Sequence, residues 1–138
     1  MRYLVDTAVV VDGLHTQPSA AVGDWIERHV DAGLAISVMS RVELYLARGL
    51  LTPGADHNAL FDWLEVLDIA VEGAILPFDD ASATFCARLM TQAFAAGCAA
   101  PLNEAMLAGM AEAYGLVVAA RPTPLLTLWG GPVVDPWR

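Results

Sequence analysis

The sequence predicts an α/β protein: a three-layer α/β/α sandwich built on a mostly parallel five-stranded sheet. Two observations lead to this fold class. Short β-rich segments alternate along the chain with longer segments that have helical spacing of apolar residues. In addition, the first strand candidate, RYLVD at residues 2–6, is apolar on both faces, as a central strand covered by helices on both sides requires.

The predicted strands are residues 2–6, 34–39, 74–78, 116–120 and 132–137. The predicted helices are residues 18–33, 40–51, 56–68, 79–97, 103–114 and 123–128. Two helix ends have clear signals, because Asp79 or Asp80 can cap the helix that starts there and Gly115 suits the position after a helix. With 138 residues and no linker or repeat, the chain is predicted to be a single domain, residues 1–138.

Composition excludes several classes of protein. Hydrophobic residues make up 57% and charged residues 17% of the chain, which predicts a folded domain with a large core. All 7 basic residues are Arg, and the absence of Lys excludes P-loop proteins, Schiff-base enzymes and phospho-acceptor receiver domains, which each need a lysine. The net charge of −9 favours a basic protein partner or a metal ion over unaided binding to nucleic acid.

The sequence carries no signal for a membrane or an oxidising compartment. Its N-terminus, MRYLVD, reaches an acidic residue too soon for a signal peptide, and no segment approaches the roughly 20 apolar residues of a membrane span. Cys86 and Cys98 form no CxxC pattern and lie in Ala-rich helical surroundings. We therefore expect a cytoplasmic protein with no membrane partner.

Three acidic residues occupy places that this fold brings together. Asp6 ends the first strand, Glu43 lies in the first turn of the helix after the second strand, and Glu104 begins the helix before the fourth strand. If these strands are neighbours, the three carboxylates converge on one edge of the sheet. Clustered carboxylates repel each other unless a cation or a shared proton neutralises them, and oxygen ligands suit Mg²⁺ or Mn²⁺. The chemistry indicated is metal-assisted hydrolysis of a phosphodiester.

Each of these acids also has a purely structural interpretation. Asp6 can form a turn after its strand, because an Asp side chain bonds its own backbone two residues on. Glu43 and Ser40 match the S-x-x-E capping box, in which the Glu reaches back to the Ser amide. Glu104 can complement the dipole of a helix that Asn103 caps. Taken one at a time, these positions do not distinguish a site from ordinary helix capping.

The order of motifs resembles the PIN-domain ribonucleases and, within them, the VapC-type toxins of bacterial toxin–antitoxin pairs. The resemblance runs nearly end to end and is carried by five segments in order: YLVDTAVVV, ISVMSRVELYLARG, ILPFDDASATFCARLM, EAMLAGMAEAYGLVVAARP and VVDPW. Each segment is a weak signal by itself. Five of them in the family's order make the resemblance specific.

The resemblance implies both a site and a function. It makes Asp6, Glu43 and Glu104 the ligands of Mg²⁺ or Mn²⁺, with Thr7 orienting the Asp6 carboxylate or a metal-bound water. It implies endonucleolytic cleavage of RNA by a homodimer. It also implies inhibition by a VapB-like antitoxin, a small DNA-binding protein that inserts a segment, often with a basic residue, into the acidic pocket. The net charge of −9 agrees with such a partner.

The sequence departs from the family pattern at three places around this site. The third acid is Glu104, whereas the family usually has Asp there. The run after the fourth strand is Ala120-Arg121-Pro122, without the usual Thr and without the Asn or Asp that follows Arg. Ala8 stands where Asn or Ser is usual. These departures leave a second hypothesis open, namely a degenerate PIN domain that binds its partner but has weak or no nuclease activity.

Overall fold

A five-stranded sheet forms the centre of the molecule. The computed structural model describes residues 1–15, 17–50, 54, 58–59, 61–62, 65 and 74–138. The strands are β1 (Tyr3–Val5), β2 (Leu34–Ser37), β3 (Ile75–Leu76), β4 (Val117–Ala119) and β5 (Val133–Val134). Their order is β3-β2-β1-β4-β5, and every pairing between them is parallel. The predicted fold class, a sandwich on a mostly parallel five-stranded sheet, is confirmed.

Helices connect the strands. They are α1 (Thr7–Val11), α2 (Ala20–His29), α3 (Val38–Leu50), α4 (Asp80–Ala95), α5 (Leu102–Tyr114) and α6 (Pro124–Trp129). Single 3₁₀ turns follow α1 and α2, at Asp12–Leu14 and Val30–Ala32. The sequence did not predict α1. The helix predicted at 56–68 lies largely outside the described residues, although those of its residues that are described are helical. Over the described ranges, no helix is both long and apolar enough to span a membrane.

The central strand β1 divides the core into two layers. Its residues are all buried, and they alternate between the faces of the sheet as a strand requires. Leu4 belongs to the core under α4 and α5. Tyr3 and Val5 belong to the core under α1, α2 and α3. Helices cover both faces of the sheet. A site can therefore form beyond the carboxyl ends of the strands, where the chain is exposed.

The helices α4 and α5 pack closely, and the start of α4 and the end of α5 follow the predicted signals. Asp79 caps α4, since its carboxylate accepts the Ser82 backbone N–H at 2.9 Å. Gly115 ends α5 in the left-handed conformation, with φ of 66°, which glycine adopts without strain. Gly109 lies at the contact of the two helices, where a Cβ atom would come within 2.7 Å of the Ser82 carbonyl oxygen. The absence of a side chain at Gly109 therefore permits this close approach.

Candidate metal-binding site

A pocket of about 120 Å³ opens at the carboxyl edge of the sheet, and the three predicted site residues Asp6, Glu43 and Glu104 line it. The strands that position them are neighbours in the order β2-β1-β4. The three carboxylates were predicted to converge if these strands were neighbours, and the strands are neighbours. The other residues that line the pocket are Thr7, Ser37, Met39, Ser40, Asn103, Leu107, Ala120, Arg121, Thr123 and Leu126.

Asp6 lies between β1 and α1. Its backbone N–H donates to the Ala119 carbonyl at 3.0 Å, which ties the end of β1 to β4. Its backbone is extended, as in an N-cap, but its side chain makes no capping hydrogen bond to α1. Burial raises the pKa of Asp6, and the charge of Glu104 adds to the rise, while the backbone amides of Thr7 and Ala8 partly offset it. Burial and the neighbouring carboxylate thus both disfavour the charged form of Asp6.

Glu43 lies on the second turn of α3 and takes no part in capping. The helix begins at Val38, and the Ser40 N–H donates to the Ser37 hydroxyl at 3.0 Å, so Ser37 is the cap. The capping box predicted for Ser40 and Glu43 is therefore wrong, as is the predicted helix start at Ser40. Burial raises the pKa of Glu43, and the nearby Asp6 carboxylate raises it further.

Hydroxyl groups connect β1 to α3 beneath these acids. The Thr7 hydroxyl donates to the Ser40 hydroxyl at 2.8 Å, and a hydrogen bond from Thr7 to Glu43 lowers the pKa of that glutamate. A hydroxyl has one proton, so Thr7 serves one of these acceptors at a time. These contacts join Thr7 to Ser40 and Glu43. The predicted role of Thr7, to orient Asp6 or a metal-bound water, stays a prediction. Ser37 and Ser40 are both buried. Ser37 was not singled out from the sequence, although Ser before a helix is a typical cap.

Glu104 lies in the first turn of α5, but the residue that precedes this helix is Pro101. Asn103 is already helical and makes no capping hydrogen bond, so the predicted cap at Asn103 is wrong. The Glu104 carboxylate accepts a hydrogen bond from the Thr123 hydroxyl. The oxygen of that hydroxyl also accepts the Leu126 N–H at 3.2 Å and so caps α6. Sequence reasoning missed Thr123, although a Thr before a Pro is a typical cap signal.

Thr123 bears directly on one of the departures from the family pattern. At Ala120 the chain lacks the hydroxyl that the family usually has after the fourth strand. Thr123, three residues further on, brings a hydroxyl to the same pocket and to the carboxylate of Glu104. The pocket therefore has a hydroxyl on its β4 side, supplied by Thr123.

The three carboxylates surround the pocket without meeting at one point. Asp6 is close enough to the other two acids for their charges to interact. Yet, within the part of the chain that the structure describes, no three Asp, Glu, His or Cys side chains come together closely enough to hold one ion. The donors available are carboxylate and hydroxyl oxygens. This donor set fits Mg²⁺ or Mn²⁺, which bind oxygen and keep several waters of their own.

The fold and the acidic pocket at the carboxyl edge of its parallel sheet define a PIN-like domain. No protein-family model matches the chain. Its relatives are nevertheless similar over their full length. VapC ribonuclease Y4jK of Sinorhizobium fredii is 31% identical over 138 residues, covering 98% of this chain and 97% of the relative. Toxin FitB of Neisseria gonorrhoeae and plasmid stability protein StbB of Pseudomonas syringae pv. tomato are each 30% identical over 136 residues, covering 98% of both chains.

Solved structures agree with these relatives. The crystal structure of FitAcB from Neisseria gonorrhoeae matches with a TM-score of 0.90 at 29% identity, covering 98% of each chain. The DNA-bound VapBC structure from Salmonella typhimurium, at 17% identity and a TM-score of 0.81, has the same fold. The chain belongs to the VapC-type toxins of the PIN-domain family.

Proposed function

We propose that this protein is a metal-dependent endoribonuclease, the toxin of a VapBC-type toxin–antitoxin pair. In this proposal Asp6, Glu43 and Glu104 hold Mg²⁺ or Mn²⁺ and the protein hydrolyses phosphodiester bonds of RNA. A full-length relative named as a VapC ribonuclease supports the activity. Asp6, Glu43 and Glu104 match the family's acids in the resemblance drawn from the sequence, and all three line one pocket, which supports the choice of residues.

The observation that carries this proposal is the charge of the pocket. Burial raises the pKa of both Asp6 and Glu43, and a neighbouring carboxylate contributes to each rise. Like charges held together at a partly buried site destabilise one another, and a divalent cation removes that repulsion. A pocket that served only to pack the fold would gain nothing from this arrangement.

The residues of the chain prepare the pocket for this chemistry. The hydroxyl of Thr7 braces the α3 side of the pocket, and Thr123 holds Glu104 on the opposite side. When bound, the cation would polarise a phosphoryl oxygen and lower the pKa of an attacking water. Asp6, at the centre between the two glutamates in the strand order, would be the ligand whose loss matters most.

The proposal includes a cognate antitoxin. Solved structures similar to this chain include FitAcB from Neisseria gonorrhoeae, FitAB bound to a DNA fragment, and VapBC complexes bound to DNA. The net charge of −9 and the acidic pocket favour a partner that presents a basic segment. A homodimer, which the family resemblance implies, stays a prediction.

A second candidate function is a degenerate PIN domain that binds an antitoxin but cleaves RNA weakly or not at all. The observation that favours it is the lack of any three described acidic, His or Cys side chains close enough together to hold one ion. This candidate predicts that Mn²⁺ binds with a dissociation constant of about 1 mM or weaker. It also predicts that expression in a bacterial host causes no growth arrest.

The test is RNA cleavage by the purified chain, freed of antitoxin, with and without Mn²⁺. We expect cleavage that depends on the metal and that Asp6→Asn abolishes, because the amide removes a charged oxygen ligand. Asp24→Asn is the matched control, since Asp24 is exposed on α2 and does not line the pocket. Cleavage without metal, or full activity in Asp6→Asn, would contradict the proposal.

A further inference from the structure

We propose that Arg121 binds an RNA phosphate beside the acidic pocket, with its guanidinium held in position by the face of Trp137. This inference rests on the proposed ribonuclease function. Arg121 follows β4 by two residues and lines the same pocket as Asp6, Glu43 and Glu104. Among the described residues that line this pocket, it is the one that carries a positive charge.

The charge of the whole chain makes a local cation important. With a net charge of −9, the protein repels a polyanion, and the pocket itself is acidic. An RNA that approaches the pocket therefore needs at least one favourable contact for its backbone. Arg121 lies where that contact would help to place the phosphodiester next to Asp6, Glu43 and Glu104.

The Arg121 guanidinium is held by an aromatic ring that is itself fixed. Its central carbon lies 3.9 Å from the centroid of the Trp137 ring, within the range of a cation–π interaction. The Trp137 indole N–H donates to Asp12 Oδ1 at 3.2 Å, and the Trp137 backbone N–H donates to Asp135 at 3.0 Å. Asp12 is buried, and its other oxygen accepts the Ser19 N–H at 2.9 Å. The ring thus connects the end of the chain to the turn after α1.

This stacking leaves the hydrogen-bond donors of Arg121 available. In the described ranges, no carboxylate lies within ion-pair distance of its guanidinium. A stacked guanidinium keeps its N–H groups in the plane at its edge, and that planar fork matches two oxygens of a phosphate.

The experiment measures binding of a labelled single-stranded RNA of mixed sequence by fluorescence anisotropy. All proteins carry Asp6→Asn, which prevents cleavage, and binding is measured without added divalent metal at several salt concentrations. We expect Arg121→Gln to bind roughly tenfold more weakly, because one charge-assisted contact is lost. The slope of log affinity against log salt should fall by about 0.7, as expected for one phosphate contact on a single strand.

Two further variants separate phosphate binding from a structural role. Trp137→Phe keeps a ring face but loses the bond to Asp12, so we expect weaker binding with an unchanged salt slope. Arg88→Gln removes the same charge from an arginine stacked over Phe85 at 5.3 Å, outside the pocket, and should bind as the parent does. A loss of stability alone would not change the salt slope.

The outcomes are distinguishable. Unchanged affinity and salt slope in Arg121→Gln, or an equal loss in Arg88→Gln, would overturn the role of Arg121. Should thermal unfolding show that Arg121→Gln does not fold, Arg121→Lys takes its place. Lys keeps the charge without the planar fork, and parent-like affinity in this variant would also overturn the inference. If the Asp6→Asn parent binds no RNA while the unsubstituted protein cleaves it, the role of Arg121 is overturned and the ribonuclease proposal stands. If the unsubstituted protein also shows no metal-dependent cleavage, the ribonuclease proposal fails, and this inference fails with it.

Discussion

Asp6 and Asp79 occupy equivalent places in the fold, because each follows a strand and precedes a helix with its backbone extended. They use their carboxylates differently. Asp79 Oδ1 accepts the Ser82 N–H at 2.9 Å and the Ser82 hydroxyl at 2.7 Å. Asp6 makes no capping bond to α1, and it lines the acidic pocket.

The pKa values of the two aspartates move in opposite directions. The hydrogen bonds from the Ser82 hydroxyl and amide lower the pKa of Asp79. Burial raises the pKa of Asp6, and Glu104 raises it further. The same residue type at the same kind of junction thus stabilises the fold in one case and opposes it in the other. The partners of the side chain, and not its position before a helix, distinguish a structural aspartate from a site aspartate.

The largest effect on stability is expected where α5 contacts the start of α4. A Cβ at Gly109 would lie 2.7 Å from the Ser82 carbonyl oxygen and 2.8 Å from the Cys86 backbone nitrogen. These are backbone atoms, so the helices must move apart, and Gly109→Ala should lower the free energy of unfolding by about 1–3 kcal/mol. Urea unfolding measures this change.

Gly23 in α2 is the matched control, because nothing lies within 4 Å of a Cβ placed there. Gly23→Ala should stabilise the protein by up to about 1 kcal/mol through helix propensity. Changes of the same sign and size in both variants would contradict the claim that the close packing of α4 on α5 requires a residue without a side chain at Gly109.

The next effect concerns the cap at Asp79. Asp79→Ala should lower the melting temperature by several degrees, since the Ser82 N–H loses its acceptor. Asp79→Asn should retain most of the stability because Asn also caps helices well. The folded-state pKa of Asp79 lies below 3.8, so its contribution is present above that pH and is lost as the pH falls through the folded-state value. Equal melting temperatures for the Ala and Asn variants would contradict this role.

A smaller effect of opposite sign is expected at Asp6. In metal-free protein at neutral pH, Asp6→Asn should raise the melting temperature by about 2–4 °C, because a buried charge and its repulsion disappear. The folded-state pKa of Asp6 lies above 3.8, so the destabilisation is absent below pH 3.8 and grows as the pH rises through the folded-state value. The melting temperatures of Asp6→Asn and the parent should therefore converge in acid. A lower melting temperature for Asp6→Asn at neutral pH would contradict this account.

The sequence predicted the parts of the molecule whose signals are local or repeated. The apolar strands and the glycine at Gly115 have clear local signals, and the cap of α4 was narrowed to two neighbouring aspartates, of which Asp79 is the one used. The predicted start of α3 was wrong because Ser37 and Ser40 are both suitable caps, and Ser37 is the one used. The predicted start of α5 was wrong because that helix begins after Pro101 without a side-chain cap.

The candidate site was predictable only in part, because several of its contacts join residues that lie far apart in the sequence. The sequence placed the three acids at the ends of strands and starts of helices but left the order of the strands as a condition, which the structure meets. The contact of Thr123 with Glu104 joins residues far apart in sequence, and no local pattern announces it. The stacking of Arg121 on Trp137 likewise depends on where the end of the chain returns to the sheet. Such contacts become visible only in three dimensions.

The central claim is that the pocket around Asp6 binds a divalent cation, and isothermal titration of the antitoxin-free protein with Mn²⁺ tests it most directly. The account predicts one binding site per chain in the parent and in Asp79→Asn, and loss of that site in Asp6→Asn. Absence of binding in the parent, or undiminished binding in Asp6→Asn, would contradict it.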